Sequence, residues 1–186
     1  MIHQRYCLNG RILYSREMDA PRPTTLYLIC GKIAAGKTTL ARQLAERPNT
    51  LLITMDHWMS VLYPDEITSI EDFALLSARL RDAMGPHVVD ILREGLSVVL
   101  DFPANTVKWR EWMRCLSTQA EVAHELHFLD VSDTICKERL RRRNEGGGHP
   151  YKVDEATYDK FMKFFNAPTP EEDFNIVMHQ PEQTLE

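Results

Sequence analysis

Residues Gly31 to Thr38 read Gly-Lys-Ile-Ala-Ala-Gly-Lys-Thr, a full G-x-x-x-x-G-K-[ST] pattern. An apolar run, Leu26 to Cys30, leads in, and a helical pattern, Thr38 to Arg47, leads out. Glycines let the backbone curl so that successive N–H groups point inward, and the start of a helix adds its positive end. Such a turn suits phosphate oxygens. Lys37 brings a point charge for β- and γ-phosphates, and the Thr38 hydroxyl brings a ligand for Mg²⁺. The expected cradle is Gly31, Lys32, Ile33, Ala34, Ala35, Gly36, Lys37, Thr38 and Thr39.

Two acids follow apolar runs. Asp56 comes after "LLITM" and Asp101 after "SVVL". If those runs are parallel strands, both carboxylates sit outside the strands' carboxyl ends, in the crevice that Lys37 faces. A carboxylate there holds Mg²⁺ or accepts a proton from an attacking hydroxyl. Asp101 is assigned to the metal with Thr38. Asp56 heads "DHWMSVLYPDE" and is assigned to an acceptor pocket with Trp58 and Tyr63, to which Arg110, following "DFPANT", is added. Either acid also suits a helix cap or turn. Asp130 is read as only a turn or cap.

"CKERLRRRN" sets Lys137, Arg139, Arg141, Arg142 and Arg143 against Glu138. Arg139 and Arg143, four apart, share a helix face. They precede "NEGGGHPYKVDE", where three glycines suggest a mobile lid over about residues 139–155. Guanidinium groups there would spread charge over phosphoryl oxygens. A solvated helix end with cations matched to the dipole explains some of these arginines equally well.

The elements that must position these groups are legible as alternation. Five apolar runs, at 26–30, 50–55, 97–102, 124–129 and 174–179, are separated by helical patterns. Four runs are nearly continuous, as in strands buried on both faces of a parallel sheet. Helices are expected at 38–47, 70–94 (broken near Gly85-Pro86), 106–119, 132–144 and 154–165. The fold class is therefore α/β, a doubly wound parallel sheet with helices on both faces. Residues 1–25, without clear periodicity, are taken as an arm and 26–186 as the domain.

With 186 residues, one domain can bury a sizeable core. A net charge of −5 argues against a nucleic-acid coat. Four scattered cysteines fit free thiols in a reducing compartment. No apolar run reaches the roughly 20 residues of a membrane span, and no signal peptide is read, so a cytoplasmic location is expected. Oligomeric state is not legible. "HELH" (His124 to His127) is one residue short of a zinc motif and lies on an expected strand, where residues three apart face opposite ways. Trp109 and Trp112 are read as core packing, and His57 and His149 as surface residues.

"GKIAAGKTTLA", "MDHWMSVLYPDE", "VVLDFPANTVKWREWM", "LDVSDTICKERLRRRN" and "FNAPTPEEDFNIV", in this order, resemble the AAA_33-type P-loop kinase-like ATP-binding proteins, a group similar to zeta toxins and chloramphenicol phosphotransferase. The resemblance spans about residues 26–180. It implies a three-layer P-loop NTPase/kinase fold, a five-stranded parallel sheet in order 2-3-1-4-5, and ATP-dependent phosphorylation of a hydroxyl. It also implies a base at Asp56 and a basic lid at Arg139 and Arg143.

The leading expectation is thus a kinase that uses ATP and Mg²⁺ to phosphorylate a small-molecule hydroxyl. The alternatives are an ATP-gated switch, a nucleotide-sugar kinase and a polynucleotide 5′-kinase. The last wants a broader basic groove than the chain offers.

Overall fold

The computed structural model describes residues 23–146 and 153–180 in full, and the backbone of residues 5–8 and 11–14. Part of the expected lid, with His149, lies outside the described residues.

Each continuous apolar run forms a strand. β3 (Thr25–Gly31), β4 (Thr50–Thr54), β5 (Ser97–Pro103), β6 (Ala123–Leu129) and β7 (Ile176–His179) make one parallel sheet ordered β4-β5-β3-β6-β7. That is the order 2-3-1-4-5 counted along the sheet. β3 is buried along its whole length, which is why it reads as unbroken apolar sequence. Where no periodicity is legible, β1 (Arg5–Leu8) and β2 (Arg11–Tyr14) pair antiparallel as a separate hairpin. Four residues per strand are too few to show alternation clearly.

Helices cover both faces. On one face lie α1 (Lys37–Ala45) and α5 (Asp133–Gly146), with Ala41, Leu44, Cys136 and Leu140 packed on Tyr27, Ile29 and Val99. On the other face α3 (Ile70–Arg93) and α4 (Val107–Ala120) pack on Leu26, Leu28, Val98 and Leu100. α2 (Met55–Leu62) opens directly from the end of β4, and α6 (Glu155–Met162) follows the lid region.

The expected break at Gly85-Pro86 does not occur: α3 runs through Pro86 as one helix. Leu76, Leu80, Met84, Val88 and Leu92 form a buried stripe at four-residue spacing on both sides of the proline. Each such side chain contributes about 1.5–3 kcal/mol, so together they outweigh the roughly 3 kcal/mol that an internal proline costs.

The "HELH" strand behaves as its period requires. His124 stacks edge-on against Phe174 on one face, and His127 lies against Tyr27 on the other. Trp109 and Trp112 pack edge-to-face on each other and both contact Phe102. Among the described residues, no helix is long and apolar enough to cross a membrane.

Candidate phosphate-transfer site

Gly31 ends β3, and a Cβ there would come within 3.2 Å of the Leu129 Cβ on β6, so the strand-to-loop exit admits only glycine without displacement. Gly36 has φ 107°, which L side chains rarely adopt. Ala34 holds φ 61°, a left-handed position for a residue with a Cβ, and such strain clusters where a loop must present its amides. α1 then starts with no side-chain cap and no acid in its first turn. Its first N–H groups, with the loop amides, are thereby left for an anion.

Lys37 folds back over the loop. Its Nζ donates to Gly31 O at 2.7 Å and to Lys32 O at 2.8 Å. Burial lowers its pKa, opposed by the nearby carboxylates of Asp101 and Asp56. Both acids at the strand ends therefore reach the field of the P-loop lysine. The Lys32 side chain turns away instead, to Asp133 at 2.8 Å, which also accepts the Tyr158 hydroxyl of α6 at 2.8 Å. The loop is thus tied to the first turn of α5 and to α6.

Asp101 is aimed by an irregularity. β3 and β5 are in register through Leu28 and Leu100, then the pairing jumps to Ile29 and Pro103. Asp101 is left outside that ladder while it still pairs with Thr54 on β4. Bulges of this kind re-aim side chains beside active sites. Asp101 takes a hydrogen bond from the Thr38 hydroxyl, and its pKa is raised, chiefly by burial and also by Asp56. A hydroxyl joined to a desolvated carboxylate, with a second carboxylate close by, suits a hard cation such as Mg²⁺. Among the described residues no three His, Cys, Asp or Glu side chains form a cage on their own. Mg²⁺ is usually bound through one or two carboxylates, with water and phosphate completing its shell.

Asp56 lies in the first turn of α2, partly buried. Its charge is felt by Arg143, whose pKa burial lowers and the Asp56 charge raises. The Arg143 Nε is buried with no hydrogen-bond partner among the described residues. An unsatisfied buried donor costs about 1–3 kcal/mol, more when charged, so the Arg143 guanidinium suits an anion. Arg139, one turn earlier, donates from Nη1 to Ala35 O of the loop at 3.1 Å. The other two arginines face elsewhere: Arg141 pairs with Glu155 at 2.6 Å, and Arg142 with Glu138.

Trp58 and Tyr63 are less central. Trp58 is 40% exposed, and two residues from Asp56 it points to another side of α2. Tyr63 ends α2 and packs on the core.

Arg110 requires a correction. It was expected at the acceptor pocket, but its side chain is fully buried and committed. Nε and Nη2 grip Glu172 at 2.7 Å each, and Nη1 donates to Ala104 O and Asn166 O at 3.0 and 2.8 Å. The Asn166 N–H in turn donates to Asn105 O, and Asn105 Oδ1 accepts the N–H of Gly31 at 3.0 Å. A single network thus runs from the 3₁₀ turn Pro170–Glu172 to the first residue of the P-loop. Asn105 and Glu172 escape a reading of the sequence because they match no motif; only "DFPANT", just past a strand end, hints at the former.

The network carries a testable cost. The Arg110 hydrogen bonds hold Glu172 below the ordinary glutamate value of 4.5. A depressed carboxylate contributes stability above that value and loses it as pH falls through the folded pKa. Glu172→Gln should therefore destabilise the fold by about 3–5 kcal/mol at pH 7, because it strands a buried guanidinium. Urea unfolding of parent and variant should show the gap narrowing below pH 4.5. Equal midpoints at pH 7 would remove the network from the stability account.

The AAA domain family AAA_33 matches residues 26–168. No curated protein matches at a significant level. Among solved structures, a Chloroflexus aurantiacus protein provisionally described as a kinase is similar at TM-score 0.68 and 23% identity, over 86% of this chain and 91% of that one. Chaetomium thermophilum Kti12 in complex with ADP-AlF3 is similar at TM-score 0.64 and 18% identity, over 84% and 89%. Mycobacterium tuberculosis APS kinase with AMPPNP and APS follows at 0.59 and 17%, over 88% and 92%. At these identities the likeness establishes the P-loop kinase-like fold.

Proposed function

This chain belongs to the AAA_33 family of AAA domains, and from that premise we propose that it is a kinase moving the γ-phosphate of ATP to the hydroxyl of a small molecule. The observation that carries the reading is the place of Asp56. Its charge is felt by both Lys37 and Arg143. A base near two cations suited to phosphate fits transfer to an incoming hydroxyl, whereas a nucleotide switch has no use for it.

In this reading the loop amides and Lys37 hold the β- and γ-phosphates. Thr38 and Asp101 would hold Mg²⁺, which when bound neutralises charge on the transferring group. Asp56 accepts the acceptor's proton as the oxygen attacks the γ-phosphorus. Arg143 and Arg139 stabilise charge on the equatorial oxygens from α5. ADP leaves, and the acceptor carries a new phosphate ester.

The test is ATP turnover with and without a panel of alcohols, read by phosphate appearing on the alcohol. Transfer to none of them, with ATP still bound, would replace the kinase reading with a switch. Lys37→Ala should leave the fold intact and weaken ATP binding by at least about tenfold, since one charge-assisted contact is worth about 1.5–3 kcal/mol. Unchanged calorimetric affinity would remove the phosphate-cradle assignment.

A further inference from the structure

Beside the phosphate crevice lies a groove of about 370 Å³ that neither the phosphates nor the metal would fill. Its walls come from three helices that meet only in the folded chain. Phe73 of α3 and Phe161 of α6 stand edge-to-face at 6.2 Å. Trp109 of α4 forms another wall, with the Arg81 guanidinium 5.7 Å from its ring centre. Phe164, 60% exposed, hangs at the opening. Thr106, the N-cap of α4, also lines the groove.

The groove is linked to the proposed transfer site through neighbouring residues at two places. Thr106 directly follows Asn105, whose side chain accepts the first amide of the P-loop. Phe161 rides on α6, which is tied to α5 through Lys137–Asp159, Arg141–Glu155 and Tyr158–Asp133. The helix that presents Arg139 and Arg143 is therefore bonded to a groove wall.

Charge selects the occupant. The chain carries 27 acids against 22 lysines and arginines, yet among the described residues no acid lines this groove while Arg81 and Lys108 do. Arg81 also meets Asp82 at 3.1 Å, but Asp82 is a mostly exposed neighbour in sequence, and such pairs are worth little. Lys108 makes no ion pair among the described residues and sits in a helical first turn that contains no acid. A cation there opposes the helix dipole, and an anion would relieve it. Aromatic walls want a flat apolar body, and a guanidinium stacked on indole keeps its outward donors for a carboxylate.

We infer that this groove binds a small aromatic acid, its ring against Phe73, Phe161 and Trp109 and its carboxylate at Arg81 and Lys108, and that this acid is the hydroxyl-bearing acceptor. The inference rests on the kinase reading for the role of the ligand, but not for its binding.

The experiment separates the two. The probes are 8-anilinonaphthalene-1-sulfonate, an aromatic anion, and N-phenyl-1-naphthylamine, its neutral counterpart, each followed by fluorescence on the full chain. The double variant Arg81→Gln, Lys108→Gln, checked for unchanged thermal stability, should weaken the anion by about tenfold, as loss of charged partners implies. The neutral probe should change less than about twofold, since both dyes keep the same apolar contacts. Phenyllactate should displace the anion, and 2-phenylethanol should not. Equal weakening of both probes, no weakening of either, or equal displacement by both alcohols overturns the groove. If the probe results hold and no aromatic hydroxy acid takes phosphate, the kinase reading falls and the groove stands. If phosphate passes to neutral polyols at a rate that the double variant leaves alone, the kinase reading stands and the acceptor assignment falls.

Discussion

Arg143→Ala is expected to lower phosphate transfer by on the order of 10³-fold at saturating ATP, the low end for an arginine that meets the transferring group. Among the described residues its Nε is buried without a partner, and it feels the charge of the Asp56 carboxylate. A donor kept waiting in this way acts mainly when charge develops on the phosphoryl oxygens, in a site from which water is excluded. Ground-state ATP affinity should fall far less. Arg139→Ala should lose both rate and some affinity, because Arg139 already grips Ala35 O of the loop. Arg141 is the internal control. It lies about 160° from each of the other two on an ideal helix. Its exposed pair with Glu155 is worth at most about 1 kcal/mol, so Arg141→Ala should keep the parental rate. Turnover and melting temperature of all three variants decide the matter. Parental rates in Arg139→Ala and Arg143→Ala would make this helix end a solvated surface and remove it from the mechanism.

Asp56→Asn should cut turnover by about 10²–10⁴-fold, the range for a lost general base, with ATP affinity nearly unchanged. The substitution keeps shape and polarity and removes only the ability to take a proton. Asp101→Asn should behave differently. Asp101 accepts the Thr38 hydroxyl, so its loss should raise the Mg²⁺ concentration needed for half-maximal rate. Mg²⁺ titrations of the two variants at fixed ATP separate the roles. Identical shifts in metal requirement would show that the two carboxylates act as one metal site and that the base lies elsewhere.

The P-loop was legible because its function is written in local chemistry. Close backbone approach at Gly31, positive φ at Gly36, and a lysine and threonine at fixed offsets all lie within eight residues. The strands were legible because burial on both faces leaves unbroken apolar runs, and this is also why Asp56, just past β4, and Asp101, near the carboxyl end of β5, could be picked out. Helical period set Arg139 and Arg143 on one face and Arg141 opposite them, while the inward reach of Arg139 and the pairing of Arg142 with Glu138 came only with the folded chain.

Tertiary structure decided the rest, wherever the determining partner is distant in sequence. Pro86 stays within α3 because residues of β5 and α4 bury both halves of that helix, and propensity alone forecasts a break. Arg110 looked like a crevice residue until Glu172, 62 positions later, claimed it. Asp101 acquires its aim from a shift in pairing with β3, which no pattern within β5 announces. The aromatic groove joins Phe73, Trp109 and Phe161 from three helices, each of which by itself reads as ordinary core. The short range over which glycine, helix period and strand burial act makes the phosphate cradle a property of the sequence. The long-range packing of α3, α4 and α6 makes the groove beside it a property of the fold.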